Sequence, residues 1–165
     1  MLYAPRRRGM VVNKPAPDFT LQDHNREYVN LKDTIAVAPA MLVFYPENFK
    51  PVCTEQLCDY RDHIAEFDQY GIQLFGISKN DCHSNKRFLE EHSFPFPLLS
   101  DPGDRVARQF GCTSLLLFGK VSRALFIINT KGIVLYRYVE PTAITRRKSH
   151  ALIKVLEQLR SNSLL

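Results

Sequence analysis

The chain has little of what marks several protein classes. Its 165 residues include four cysteines, too few for the disulfide framework that staples small secreted domains. No apolar run comes near the ~20 residues that a membrane-spanning helix needs. Arg6-Arg7-Arg8 precedes Gly9 to Lys14, a stretch too short, and too polar at its end, for the apolar region of a secretory signal. Internal repeats, linkers and low-complexity segments are missing. With 45% hydrophobic and 24% charged residues, the composition is that of a folded domain rather than a disordered chain. Neither an H-E-x-x-H motif nor a serine–histidine–acid arrangement can be traced, and the histidines at 24, 63, 83, 92 and 150 read as solvated or helix-face residues. The net charge of +5 is partly local, in Arg6 to Arg8 and in Arg146-Arg147-Lys148. A basic face interleaved with aromatics is not visible, so nucleic acid is not indicated as a partner, and a membrane is not either.

What is present points to one domain in a soluble protein, expected in the reducing cytoplasm that suits functional thiols. A chain of this length buries roughly 68–70% of its unfolded surface in a single core. Residues 1–13 read as a loosely attached lead-in and 14–165 as the domain, opened by the stiff Pro15-Ala16-Pro17. Phe19 to Leu21 and Tyr28 to Leu31 predict a small β-hairpin. Apolar runs at 40–45, 72–77, 98–99, 124–128 and 133–138 predict strands, the last two joined by the tight turn Asn129-Thr130-Lys131-Gly132. Leu57, Tyr60, Ile64 and Phe67 recur at three- and four-residue steps, so one amphipathic helix is expected over 52–70, stopped by Gly71. Further helical segments are expected over 84–92, within 101–110, and from about 147 to 159. Strand and helix alternate first, and a hairpin and a helix follow. That order makes an α/β fold, a central mixed sheet flanked by helices on both faces.

The stretch from Phe44 to Asp62 carries the chemistry. A buried strand runs into a loop marked by Pro46 and Pro51, and the loop opens into a helix near Cys53. A cysteine at a helix start meets unpaired backbone N–H groups and the positive end of the dipole, both of which favour thiolate over thiol. Cys53 therefore reads as reactive rather than as a small core hydrophobe. Cys58, beside the inward Leu57, suits either reading. Residues five apart in a helix lie ~7.5 Å apart along its axis, and a disulfide needs Cα atoms within about 6.8 Å. A Cys53–Cys58 bridge thus requires the helix to unwind locally.

The spacing from Pro46 to Cys53 resembles the active-site loop of peroxiredoxins, and Cys53-Thr54-Glu55-Gln56-Leu57-Cys58-Asp59-Tyr60-Arg61-Asp62 is similar to the bacterioferritin-comigratory, or Q-like, branch. Lys14 to Leu21, Gly76-Ile77-Ser78 and Ser122 to Ile128 extend the likeness over roughly residues 12–160. The resemblance implies a thioredoxin-like fold and thiol-dependent reduction of hydrogen peroxide and organic hydroperoxides. Cys53 would be the peroxidatic cysteine and Cys58 the resolving one, joined afterwards in a disulfide that thioredoxin or a similar dithiol reduces. Arg123 would hold the Cys53 thiolate and polarise the departing oxygen, although on position alone it is an ordinary arginine. Pro46 would shield the thiolate. Lys50, Val52 and Glu55 would lie on the peroxide-binding side, with Glu55 and Arg61 supporting the site. No cofactor is implied, and the branch suggests a monomer.

One departure stands out. The family's threonine or serine three residues before the peroxidatic cysteine is Lys50 here. An ammonium donates hydrogen bonds but accepts none, so weaker peroxidase activity or an altered peroxide preference is expected. That keeps a redox sensor with the same disulfide switch as the competing function. A general thiol–disulfide exchanger fits poorly without a Cys-x-x-Cys. Cys82 and Cys112 stand outside the motif, and pairing of Cys53 with either is an open alternative to Cys58. A zinc site is disfavoured, because neither Cys-x₄-Cys nor Cys82-His83 matches paired-ligand spacing. The apolar run from Thr113 to Phe118 reads as core packing or as an apolar surface near the site.

Overall fold

The computed structural model describes residues 12–113 and 118–165. Most of the lead-in, and the centre of the apolar run after Thr113, lie outside the described residues. Seven strands form one sheet in the order β2-β1-β5-β4-β3-β6-β7. They are β1 (Thr20–Asp23), β2 (Tyr28–Asn30), β3 (Ala40–Phe44), β4 (Gln73–Ser78), β5 (Leu98–Ser100), β6 (Ala124–Ile128) and β7 (Val134–Val139). β3 runs parallel to β4, and β4 parallel to β5, while β6 and β1 join antiparallel. This is the mixed sheet of a thioredoxin-like α/β fold.

The central strand β3 shows why the sheet is covered on both sides. All five of its residues are buried, as expected of a strand with helices on each face. Leu42 and Phe44 point into one apolar cluster, with Leu31, Ile35, Val106 and Phe110. Met41 and Val43 point into the other, with Leu57, Tyr60, Phe67, Phe88, Leu152 and Leu156. The first cluster is covered by α1 (Leu31–Val37) and α5 (Arg105–Gln109), the second by α2 (Pro51–Asp62), α3 (Ile64–Asp68), α4 (Cys82–His92) and α6 (Ser149–Ser161). Burying each such aliphatic or aromatic side chain contributes about 1.5–3 kcal/mol. On β4, an added Cβ at Gly76 would stand 2.6 Å from Leu98 Cδ2 and 3.2 Å from the Tyr45 ring, so a larger residue there would force the Leu98 side chain to shift.

Three expectations need correction. The helix foreseen over 52–70 is two helices broken at His63, whose φ of −112° and ψ of 17° leave the helical region. The His63 N–H is shared between the Asp59 and Tyr60 carbonyls, and its ring sits 2.8 Å from the Asp59 carbonyl. Secondly, Leu31 opens α1 instead of ending a strand. Asn30 caps that helix, its side chain accepting the Asp33 N–H at 3.0 Å, a strong start signal. The last helix begins at Ser149 rather than near Arg147. The β6–β7 hairpin forms where expected, closed by a Gly132 N–H to Asn129 carbonyl bond of 3.0 Å, with Gly132 at φ 80°.

Candidate active site

The site lies where β3 hands over to α2. Tyr45 is fully buried, and its hydroxyl donates to Asn48 Oδ1 at 2.7 Å. Burial pushes that phenol far above its ordinary range, against a lowering contact from Ser78, so it remains a neutral donor. Asn48 then ties the loop to the far side of the cluster. Its Nδ2 donates to Asn85 Oδ1 at 2.8 Å and Ser84 Oγ at 3.1 Å, and its backbone N–H donates to Asn80 Oδ1 at 2.9 Å. Phe49 follows at φ 63°, a left-handed conformation that costs a non-glycine residue on the order of 1–2 kcal/mol. Its ring is held 4.9 Å from the Phe88 ring, with the Arg87 guanidinium 5.6 Å above it. This turn reverses the chain into α2.

Pro51 occupies the first helical position, where its missing N–H costs nothing. The first helical bond runs from the Thr54 N–H to the Lys50 carbonyl at 2.9 Å, so Cys53 sits in the first turn among amides outside the helical ladder. The Cys53 side chain faces the core and is 1% exposed. Arg123 immediately precedes β6, and the antiparallel register that sets Phe44 opposite Ala124 brings it level with the exit of β3. Its Nη1 donates to Cys53 Sγ at 3.2 Å, and its Nε donates to the Thr145 carbonyl at 3.1 Å. The guanidinium is buried, and its two anchor points fix the fork that aims at the sulfur.

Cys58 lies one and a half turns further along α2, half-buried and free. Its Sγ is 3.8 Å from Nδ1 of His92, on the last turn of α4. Burial pushes the Cys58 thiol above its ordinary range, and Asp62 adds to this while Arg61 opposes it. Residues 51–62 are continuously helical, so the two sulfurs cannot bond in this form. Cys112 is buried in the cluster opposite Cys53, where burial pushes its thiol far upward. Cys82 opens α4 with its sulfur 4.0 Å from Gln22 Oε1.

The remaining sequence candidates fall as follows. Pro46 and Val52 are half-buried on either side of the turn. Lys50 is exposed and occupies the N-cap of α2, where its side chain makes no capping bond. Glu55 is exposed, its carboxylate 3.7 Å from Arg146 Nε. Arg61 donates to the His92 carbonyl at 2.6 Å and pairs with Asp62 at 2.9 Å. Sequence reasoning passed over Asn48 and His92, which resemble ordinary polar residues until the fold sets their partners beside them.

The architecture is that of a thioredoxin-like protein carrying a guanidinium-contacted cysteine at a helix start. Residues 12–137 match the AhpC/TSA family. Peroxiredoxin Q, chloroplastic, of Triticum aestivum is 36% identical over 144 residues, which are 82% of this chain and 66% of that protein. The Arabidopsis thaliana peroxiredoxin Q is 37% identical over 125 residues, 74% of this chain and 57% of that one. This chain therefore spans less than two thirds of either plant relative. Peroxidoxin BcpB from Mycobacterium tuberculosis superposes with a TM-score of 0.79 at 31% identity, covering 92% of this chain and 97% of that structure. The chain belongs to the AhpC/TSA family, on its peroxiredoxin Q side.

Proposed function

We propose that the chain reduces hydrogen peroxide and organic hydroperoxides through Cys53 and Cys58, and is recycled by thioredoxin or a similar dithiol. The Cys53 thiolate attacks one peroxide oxygen, the O–O bond breaks, and water or an alcohol leaves as Cys53 becomes a sulfenic acid. The Cys58 sulfur then displaces the sulfenic oxygen as water, giving a disulfide. A dithiol returns both cysteines to thiols. The observation that carries this reading is the 3.2 Å contact from Arg123 Nη1 to Cys53 Sγ. It presents a cationic donor where the attacking sulfur and the departing oxygen both carry negative charge.

The helical separation of Cys53 from Cys58 supports a cycle in which α2 opens between the two steps. In this reading the protein acts as a monomer in a reducing compartment. The competing reading is a sensor that forms the same disulfide with little turnover. The observation in its favour is Lys50, exposed in the position of the family hydroxyl. NADPH consumption with thioredoxin, thioredoxin reductase and peroxide separates the two. The enzyme reading expects turnover that Cys53→Ser abolishes and Cys58→Ser strongly reduces. Disulfide formation without turnover in the wild type would overturn it in favour of the sensor.

A further inference from the structure

Resting on the peroxidase reading, we propose that His92 is a catalytic residue of the resolving step: its imidazole takes the proton from the Cys58 thiol, and the thiolate so formed captures the oxidised Cys53. His92 Nδ1 lies 3.8 Å from Cys58 Sγ, within reach of an S–H donor. With its own proton on Nε2, the ring presents Nδ1 as the acceptor. The ring is also fixed in place. It packs edge-on to Phe88 with centroids 5.2 Å apart, and stacks on Phe94 at 5.5 Å with 24° between the planes. Arg61 holds its backbone carbonyl at 2.6 Å. An imidazole packed only for its bulk has no need to aim a nitrogen at a thiol.

The chemistry gives the contact a task. Burial keeps Cys58 protonated in the closed helix, whereas the species that attacks a sulfenic sulfur is the thiolate. A proton acceptor at that sulfur relieves the conflict. From α2, Cys58 faces the imidazole and Arg61 reaches the His92 backbone carbonyl. The Arg61 charge is offset by its 2.9 Å pair with Asp62. On its own helix the nearest are Glu90 and Glu91, both exposed. From the segment after α4 the ring meets Phe94.

The step balances. The Cys58 S–H bond breaks, and the proton passes to Nδ1. As α2 opens, the thiolate forms the S–S bond with Cys53 while the S–O bond breaks. The departing hydroxide is protonated to water, and the imidazolium returns its proton to solvent. The sum is a thiol plus a sulfenic acid giving a disulfide plus water.

The test follows oxidation of the full-length protein by one equivalent of hydrogen peroxide, using quenched-flow mass spectrometry to time the sulfenic and disulfide forms separately. His92→Phe keeps a ring between Phe88 and Phe94 but removes the acceptor. Sulfenic acid should form at the wild-type rate, while disulfide closure at pH 7 slows by about 10²-fold, in keeping with general-base contributions. The pH profiles of closure in the wild type and in His92→Phe should differ in shape, because one carries a proton acceptor at Cys58 Sγ that the other lacks. Unchanged closure rate and pH profile in the variant overturn the proposal. Should that variant not fold, His92→Ala with imidazole added to the buffer replaces it: restored closure supports the role, and no restoration with intact sulfenic formation overturns it. If no sulfenic acid appears at Cys53 even in the wild type, the peroxidase reading has failed, and this inference falls with it.

Discussion

The Asp59 carboxylate accepts two hydrogen bonds from Ser149, one from its backbone N–H at 2.8 Å and one from its hydroxyl at 2.8 Å. The pair fastens the first turn of α6 to α2 one residue beyond Cys58. Arg146 adds a longer contact to the same carboxylate at 3.6 Å, and the Tyr60 hydroxyl donates to the Arg147 carbonyl at 2.6 Å. The segment that brings Thr145 to Arg123 is therefore also fastened to the helix that must open for Cys53 and Cys58 to meet.

Asp59→Ala should loosen that clamp. Losing two hydrogen bonds, both to a charged acceptor, should cost about 1–3 kcal/mol of stability, read as a lower urea midpoint for the reduced protein. Because the bonds hold the closed helix and not the disulfide form, closure of the Cys53–Cys58 bridge should accelerate in the same variant. A slower or unchanged closure would show that the clamp does not resist opening.

Arg123→Lys should separate charge from geometry. Lysine keeps the cation but has no planar fork with which to hold Cys53 Sγ and the Thr145 carbonyl together. The second-order rate of Cys53 oxidation should fall by about 10²-fold, the usual consequence of losing one aligned donor to developing charge. A rate within twofold of the wild type would reduce Arg123 to a structural anchor for Thr145.

Lys50→Thr should change the two half-reactions in opposite directions. The N-cap of α2 has no side-chain bond at present, and a threonine there supplies a hydroxyl acceptor worth roughly 0.5–2 kcal/mol of helix stability. The same hydroxyl restores the hydrogen-bonding group that the family places beside the peroxide. Oxidation of Cys53 should quicken, while disulfide closure slows because a capped helix opens less readily. Stopped mixing with peroxide resolves both phases. A fall in the oxidation rate would contradict this account of Lys50.

The parts of the fold that could be read in advance are those whose signal is local. The β3–α2–β4 unit announces itself through the run at 40–45, the prolines at 46 and 51, and the three- and four-residue steps of Leu57, Tyr60, Ile64 and Phe67. Helix α1 escaped because seven residues show barely two turns of periodicity, and its clearest mark is the Asn30 cap rather than a stripe. The break at His63 also escaped, since the apolar steps continue across it, and only the shared His63 N–H bond and the ring contact with the Asp59 carbonyl reveal the kink. The Asn48 network and the His92–Cys58 contact were invisible for a different reason. Beyond Tyr45, Asn48 finds its partners 32 to 37 residues away, and His92 lies 34 residues from Cys58, so none of these contacts exists until the sheet has brought α4 against α2.

The resting Cys58 thiol should titrate above an ordinary cysteine while its helix is closed. Burial is the leading cause, reinforced by Asp62 and opposed by Arg61. The sign follows from linkage: the folded state holds this proton more tightly than the unfolded state does. Its stabilising contribution is therefore complete below the ordinary thiol range, about pH 8.5, and fades as pH rises through the raised folded value. In a Cys53→Ser background, with Cys82 and Cys112 tracked by peptide mass, the iodoacetamide rate at Cys58 should reach half its maximum above that range. In concentrated urea it should move back into the range. A folded-state midpoint at or below the free-thiol value would overturn this account of burial at Cys58.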